Sequence, residues 1–145
     1  MGTTVPESHH SILKRSLYGL LSTIRTKDGL ISTNPVSFDW DGEFIRVSTL
    51  KQRMKYKNLL ANPIVSFCVV DDQDMTRYVE FRGRAELIDD PEGSLNKAIY
   101  RRQMGEEFDL DPPEAERVII KIIPEQVSTP LLYGGQLEGI TADNR

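Results

Sequence analysis

Between Val47 and Pro63 the chain reads Val-Ser-Thr-Leu-Lys-Gln-Arg-Met-Lys-Tyr-Lys-Asn-Leu-Leu-Ala-Asn-Pro, and these residue types suit the holding of an anion. Ser48 and Thr49 put hydroxyls at the end of a strand, and Arg53, Lys55 and Lys57 follow where a helix begins. A turn that opens a helix aims backbone N–H groups outward, so amides, hydroxyls and cations converge on a phosphate. The solvated face of a short helix has the same composition. The run alone leaves both readings open.

The surrounding segments supply the frame. A polar arm runs through Glu7, and a short helix from Ser8 or Ser11 to Tyr18 carries Ile12, Leu13 and Leu17, which with Leu20 are spaced to cover one end of a sheet. Tyr18 to Arg25 reads as a strand, Thr26 to Gly29 as a hairpin turn and Leu30 to Asp39 as the partner strand. Pro35 cannot donate to a ladder, so it marks an edge, a bulge or an opened strand where a planar ligand can meet the backbone. Asp41-Gly42 turns the chain into Glu43 to Thr49. A helix follows from Lys51 to Ala61, stopped by Asn62-Pro63, and then a central strand through Val70. Asp71 to Asp74 reads as a solvated turn. Tyr78 to Ile88 is a long strand bulged near Gly83, Pro91 to Met104 is a helix, and Glu106 to Asp111 is connecting structure. Val118 to Pro124 is the sixth strand. Six strands and three short helices predict a mainly β chain, a small antiparallel barrel or rolled sheet.

Composition narrows the class. The chain has 145 residues, 39% of them apolar, which is one domain's worth with a core that needs no metal or disulfide. The reading is a single domain over 1–145 with an arm at 1–7 and a tail at 131–145. Eighteen Lys and Arg against 22 Asp and Glu give a net charge of −4, which disfavours a nucleic-acid partner. Cys68 lies in an apolar strand and is expected as a core thiol. No membrane-length apolar run and no signal-peptide pattern are visible, so a cytoplasmic protein without membrane association is the expectation. His9 and His10 are expected at the surface, and no metal cluster is expected.

Several ordered pieces carry a family resemblance: Gly19-Leu-Leu-Ser-Thr-Ile, Ile31-Ser-Thr-Asn-Pro-Val-Ser-Phe, Asp41-Gly-Glu-Phe-Ile-Arg-Val-Ser-Thr, Arg53-Met-Lys-Tyr-Lys-Asn-Leu, Asn62-Pro63 and Phe81-Arg-Gly-Arg-Ala-Glu. In this order the chain resembles the pyridoxamine 5'-phosphate oxidase-like superfamily, particularly its F420-dependent oxidoreductase branch. The resemblance implies an FMN-binding-type split β-barrel and a homodimer with cofactor sites in clefts between subunits. It places Arg53, Lys55 and Asn58 at the cofactor phosphate, with Val47, Ser48 and Thr49 on the preceding strand. Asn34, Pro35, Val36 and Ser37 resemble the strand beside the isoalloxazine or deazaflavin ring. Tyr78 stands where vitamin B6 phosphate oxidases often present a glutamine, and their basic substrate signature near the C-terminus is missing, which argues against pyridoxamine phosphate as substrate. Lys51, Lys57 and the arm are candidates for the longer anionic tail of F420. Arg82 reads either as a contact to an acidic ligand or as the partner of a carboxylate across the sheet.

The implied activity is hydride transfer from reduced coenzyme F420 to a small conjugated molecule such as a quinone, a tetrapyrrole or an unsaturated lactone. No catalytic side chain is assigned, because the cofactor carries the redox chemistry. An FMN-dependent oxidoreductase and a non-catalytic F420 or FMN binding or storage protein are the alternatives.

Overall fold

The computed structural model describes residues 2–130 and 132. A 3₁₀ turn at Glu7–His9 leads into α1 (His10–Arg15), and the strands that follow are β1 (Tyr18–Ile24), β2 (Ile31–Ser37), β3 (Asp39–Trp40) and β4 (Ile45–Leu50). Then come α2 (Met54–Ala61), β5 (Ile64–Val70), β6 (Tyr78–Asp89), α3 (Ser94–Met104) and β7 (Arg117–Ser128). All pairings are antiparallel, in the order β2-β1-β5-β6-β7-β4-β3. The sheet curls into a half-barrel that matches the split-barrel expectation. Its concave side holds Phe38, Phe67, Phe81, Leu21, Ile45, Ile120 and Ile122, all fully buried.

Alternation makes these strands. In β4 the buried positions are Ile45, Val47 and Thr49, with Arg46, Ser48 and Leu50 between them. In β1 Gly19, Leu21 and Thr23 face inward and Tyr18 and Leu20 outward. Pro35 lies in β2, the strand at one edge of the sheet, where a missing N–H costs no ladder bond on the open side.

Several boundaries differ from the sequence reading, each for a physical reason. A seventh strand, Asp39–Trp40, is too short to show an alternation; it pairs with β4 through Trp40 and Ile45, and Arg46 clamps Asp39 at 2.9 and 2.7 Å. α1 stops at Arg15 and Tyr18 opens β1. Ile12 and Leu13 plug the barrel end as expected, but Leu17 and Leu20 are exposed. α3 begins at Ser94 rather than Pro91, because Asp90 accepts from the Ser94 and Leu95 amides at 3.1 and 3.0 Å and so caps the helix from upstream. α2 begins at Met54 rather than Lys51, since Lys51 donates its amide to Glu116 O, outside the helix.

β7 runs to Ser128 instead of stopping at Pro124. Pro124 is accommodated because a register shift at Arg82/Gly83 lets Gly83 face Pro124 while Arg82 faces Gln126. A Cβ on Gly83 would sit 2.0 Å from the Ile123 carbonyl oxygen.

The Asp71 to Asp74 turn is not solvated throughout: Asp71 and Asp74 are buried. Asp71 takes an ion pair from Arg15 at 2.7 Å and a longer one from Arg77 at 3.8 Å, and Asp74 accepts from the Thr76 hydroxyl at 2.7 Å. The histidines are likewise not surface groups. His9 is buried, and burial first, then Arg77, lowers its pKa against the opposing pull of Asp71. His10 donates to the Val5 carbonyl at 2.9 Å and packs edge-on against Trp40. Cys68 is half-buried on the outer side of β5, opposite Leu20 and Glu80, rather than in the core. Burial, then Glu80, raises its pKa, which keeps the thiol protonated and unreactive. The arm folds back on β7, where the Val127 amide donates to Gly2 O. The tail beyond Pro130 lies outside the described residues, apart from Leu132.

The bulge generates a stability prediction. Gly83→Ala is expected to destabilise the chain by roughly 1–3 kcal/mol, the usual cost of forcing atoms into a packed site. Urea denaturation of the two forms measures it, and an unchanged midpoint would show that β7 yields freely at this point.

Candidate functional site

β4, β7, α2 and α3 meet around a cavity of about 240 Å³ whose walls include Val36, Ser37, Ser48, Thr49, Arg53 and Lys55, together with Asn96 and Arg117. Six of the twelve residues expected at the cofactor therefore stand around one space. β4 delivers Ser48 on the side away from the core. The chain then turns, with the Arg53 amide donating to Leu50 O at 3.0 Å, and enters α2. Among the described residues no side chain caps the α2 N-terminus, where Arg53 occupies the cap position with extended backbone. Arg53 and Lys55, at the start of this helix, thus border the same cavity.

Among the described residues, neither Arg53 nor Lys55 has a carboxylate within ion-pair distance. Lys55 carries the physical mark of this: burial, reinforced by the Arg53 charge, lowers its pKa. Lys51, by contrast, is held by Asp89 at 3.0 Å and Glu116 at 3.8 Å, so its charge is already matched. Lys57 lies exposed on α2, outside the cavity wall.

The remaining expected residues are placed elsewhere. Val47 points into the core and is 1% exposed. Asn58 is buried; its amide nitrogen donates to Thr23 Oγ1 at 3.1 Å and its oxygen accepts from the Thr26 amide at 3.4 Å, which ties α2 to the β1 hairpin. Asn34 and Pro35 lie further along β2, and the Asn34 side-chain oxygen is buried without a partner. Tyr78 begins β6 opposite Val70. Arg82 meets Glu80 of its own strand at 2.7 Å and Gln126 across the sheet at 3.1 Å. Of these two partners the one across the sheet is an amide, and the carboxylate is two residues away on β6.

Two wall residues escaped the sequence reading. Arg117 opens β7 beside Leu50 of β4, and its Nη1 points at Ser48 Oγ, 3.4 Å away. Asn96 comes from α3, with its amide nitrogen buried and unpartnered. Neither sits in a motif; only long-range pairing brings them here. A larger cavity of about 600 Å³ lies on the outer side of the sheet near Ile24, Ile31, Ile64 and Arg82. Among the described residues around it, Arg82 is the one cation and already meets Glu80, so those residues offer no unmatched charge for an anion.

A family model described as pyridoxamine 5'-phosphate oxidase matches residues 5–129. The chain belongs to the pyridoxamine 5'-phosphate oxidase family. Within the split-barrel structures of this kind, one named F420 reductase is 39% identical to the chain, covering 86% of it and 98% of the other, with a TM-score of 0.77. A conserved hypothetical protein from Mycobacterium tuberculosis is 24% identical, covering 89% of this chain and 87% of its own, at a TM-score of 0.71. A putative pyridoxamine 5'-phosphate oxidase from Listeria innocua is 22% identical over 85% of this chain and 95% of its own, at 0.67. These last two share the fold. No curated protein matches the chain. Among the described residues no helix is long and apolar enough to cross a membrane, and no group of three or more His, Cys, Asp or Glu could hold a metal ion.

The lowered pKa of Lys55 sets a pH prediction. The folded chain holds this proton less tightly than the unfolded one, so the cost to stability is present below the lowered folded pKa and is gone above the unfolded value. A bound anion reverses this by favouring the charged amine. Phosphate affinity should therefore fall as pH rises through the depressed Lys55 pKa, and Lys55→Arg should carry that affinity to higher pH. Lys55→Ala should weaken phosphate binding about tenfold with an unchanged circular dichroism spectrum. Titration at fixed ionic strength checks each outcome, and equal affinities for Lys55→Ala and the parent chain would remove Lys55 from the seat.

Proposed function

We propose that this chain is an F420-dependent oxidoreductase that transfers hydride between the deazaflavin and a small conjugated molecule, with a quinone, a tetrapyrrole and an unsaturated lactone as candidate acceptors. One observation carries the reading: two cations without carboxylate partners among the described residues line a cavity with Ser48, Arg117 and the open end of α2. The cavity suits a phosphoryl group in size and charge, and the orphaned Asn96 amide adds a donor. In this reading Arg53, Lys55 and Ser48 hold the phosphate. Asn34 to Ser37 of β2 flank the ring system, Val47 and Thr49 contribute backbone, and Lys57 lies toward the anionic tail. The choice of F420 over FMN is supported by the 39% identity to a protein named F420 reductase.

When bound, the deazaflavin supplies a carbon that exchanges a hydride rather than single electrons. The chain's own part is binding, orientation and electrostatics. Among the described residues around the cavity there is no His, Cys, Asp or Glu, so we assign no side-chain proton donor and take the proton from solvent. Anchoring the phosphate fixes where the ring lies, because each charge-assisted contact removes freedom from the ligand.

The proposed assembly is a homodimer with two such sites between subunits. Tyr18 and Leu20 of β1, Ile31 of β2, and Ile64 and Val70 of β5 leave an apolar outer face exposed, Ile31 at 72%. A second copy laid on this face would take these apolar side chains out of water. The FMN reading has its own support in the phosphate seat, since FMN and F420 share the ring and ribityl phosphate outline; a binding or storage role would use the same contacts.

Two measurements test the proposal. Competition titration should favour F420 over FMN, and reduced F420 should be oxidised anaerobically only with protein and acceptor together. Tight FMN binding without F420 affinity would transfer the assignment to FMN, and binding without turnover on a broad acceptor panel would leave storage as the function. Sedimentation at low micromolar concentration should give about twice the 16.5 kDa chain mass; a persistent monomer with full cofactor affinity would overturn the intersubunit site.

A further inference from the structure

Arg117 is a wall shared by two cavities of about 240 Å³ each: the seat in front, with Arg53 and Lys55, and a space behind, with Lys97, Asp109 and Asp111. Its side chain is 13% exposed, and its five donors are divided between the two sides. Nε and Nη2 donate to the two oxygens of Asp111, each at 2.8 Å, while Nη1 is aimed forward at Ser48 Oγ. The Phe108 ring lies 5.5 Å from the guanidinium carbon and packs edge-on against Tyr100 of α3. A planar fork held at two donors and packed against a ring cannot turn. Both Asp111 and Phe108 come from the segment 105–116 between α3 and β7, so that segment sets the direction of Nη1.

Resting on the reading of the front cavity as a phosphate seat, we propose that Asp111 is a positioning residue: by gripping Arg117 from behind, it presents Nη1 to the phosphate as a third cationic contact beside Lys55 and Arg53. The Arg117 hydrogen bond, against the smaller opposing effect of burial, holds the Asp111 carboxyl below the usual carboxylate range, so the grip persists through neutral pH. This role differs in sign from simple neutralisation. Asp111 places a negative charge near an anion site, so if it acted only through its charge, its removal would tighten phosphate binding. If it acts by aiming Arg117, its removal loosens the fork and weakens binding.

The probe is inorganic phosphate, followed by ¹⁵N–¹H spectra of the full chain, with the Arg117 Nε–H signal and the amides of 48–58 as reporters. Asp111→Asn is expected to weaken phosphate binding about tenfold, the scale of one charge-assisted contact, and to abolish the protected Arg117 Nε–H signal. Amides outside 105–117 should stay in place, and Asp111→Glu should recover most of the affinity. Arg117→Lys should weaken binding to a similar extent, and adding Asp111→Asn to it should cost little more, because the carboxylate acts through the fork. Unchanged or tighter binding by Asp111→Asn would overturn the proposal, as would additive losses in the double variant. If the parent chain itself shows no shift at 48–58 with phosphate, the seat reading fails and this proposal with it. A parent chain that responds, with variants that behave as neutralisation predicts, refutes only the positioning role. Should Asp111→Asn fail to fold, Arg117→Lys and Arg117→Gln take its place: both are expected to bind phosphate about tenfold more weakly than the parent, and parent-level affinity in either would overturn the proposal.

Discussion

The two-sided pairing of β7 is the constraint on which the rest of the half-barrel depends. Along one side it pairs with β6 from Val118 to Ser128, and along the other its first half pairs with β4, from Arg117 opposite Leu50 to Ile122 opposite Ile45. A strand gripped on both sides cannot slip by one residue without turning Val118, Ile120 and Ile122 out of the core. That register also decides which side chain stands beside Ser48. The bulge at Gly83 absorbs the extra residue at Glu125, so β7 passes Pro124 without losing its hold on β6.

Charge organises the chain locally while its total stays slightly negative. Most of its arginines have carboxylates close by: Arg15 has Asp71, Arg46 has Asp39, Arg84 has Glu125 and Arg117 has Asp111. Against that habit, Arg53 and Lys55 stand out, together beside a concave space. An unmatched cation that is also partly desolvated raises the free energy of the empty form, and an arriving anion relieves it. A seat of this kind would favour anionic over neutral ligands before any shape is considered.

Much of this was legible in the chain itself. β1, β4, β5 and the barrel plug at Ile12 and Leu13 follow from alternation and turn residues, and the strand-to-helix run that borders the cavity was visible as Ser48, Thr49, Arg53 and Lys55. Most of what escaped depended on contacts distant in sequence. Arg117 belongs to the cavity only because β7 pairs with β4, and nothing near it in the chain signals this. Asp90 caps α3 from four residues upstream of Ser94, across a left-handed Gly93, so the helix starts three residues later than a proline in its first turn suggests. Asp71 reads as solvated because carboxylate runs usually are; Arg15, 56 residues away, supplies the counter-charge that lets it be buried. Asn58 has the spacing of a phosphate contact, but its amide joins α2 to the β1 hairpin, a role that the local pattern does not distinguish.

That amide has a mechanical consequence. Lys55 lies one helical turn before Asn58, and Thr23 and Thr26 stand in the hairpin whose return strand is β2. The two hydrogen bonds therefore brace the helix bearing Lys55 against the hairpin bearing Asn34 to Ser37, with Asn58 as a buried strut between them. The span from cation to edge strand becomes a fixed gauge rather than a hinge. With the anion at Lys55 and the ring along β2, as proposed, such a gauge would sort ligands by the length between their anionic group and their flat ring, without any side chain having to read the ring's identity.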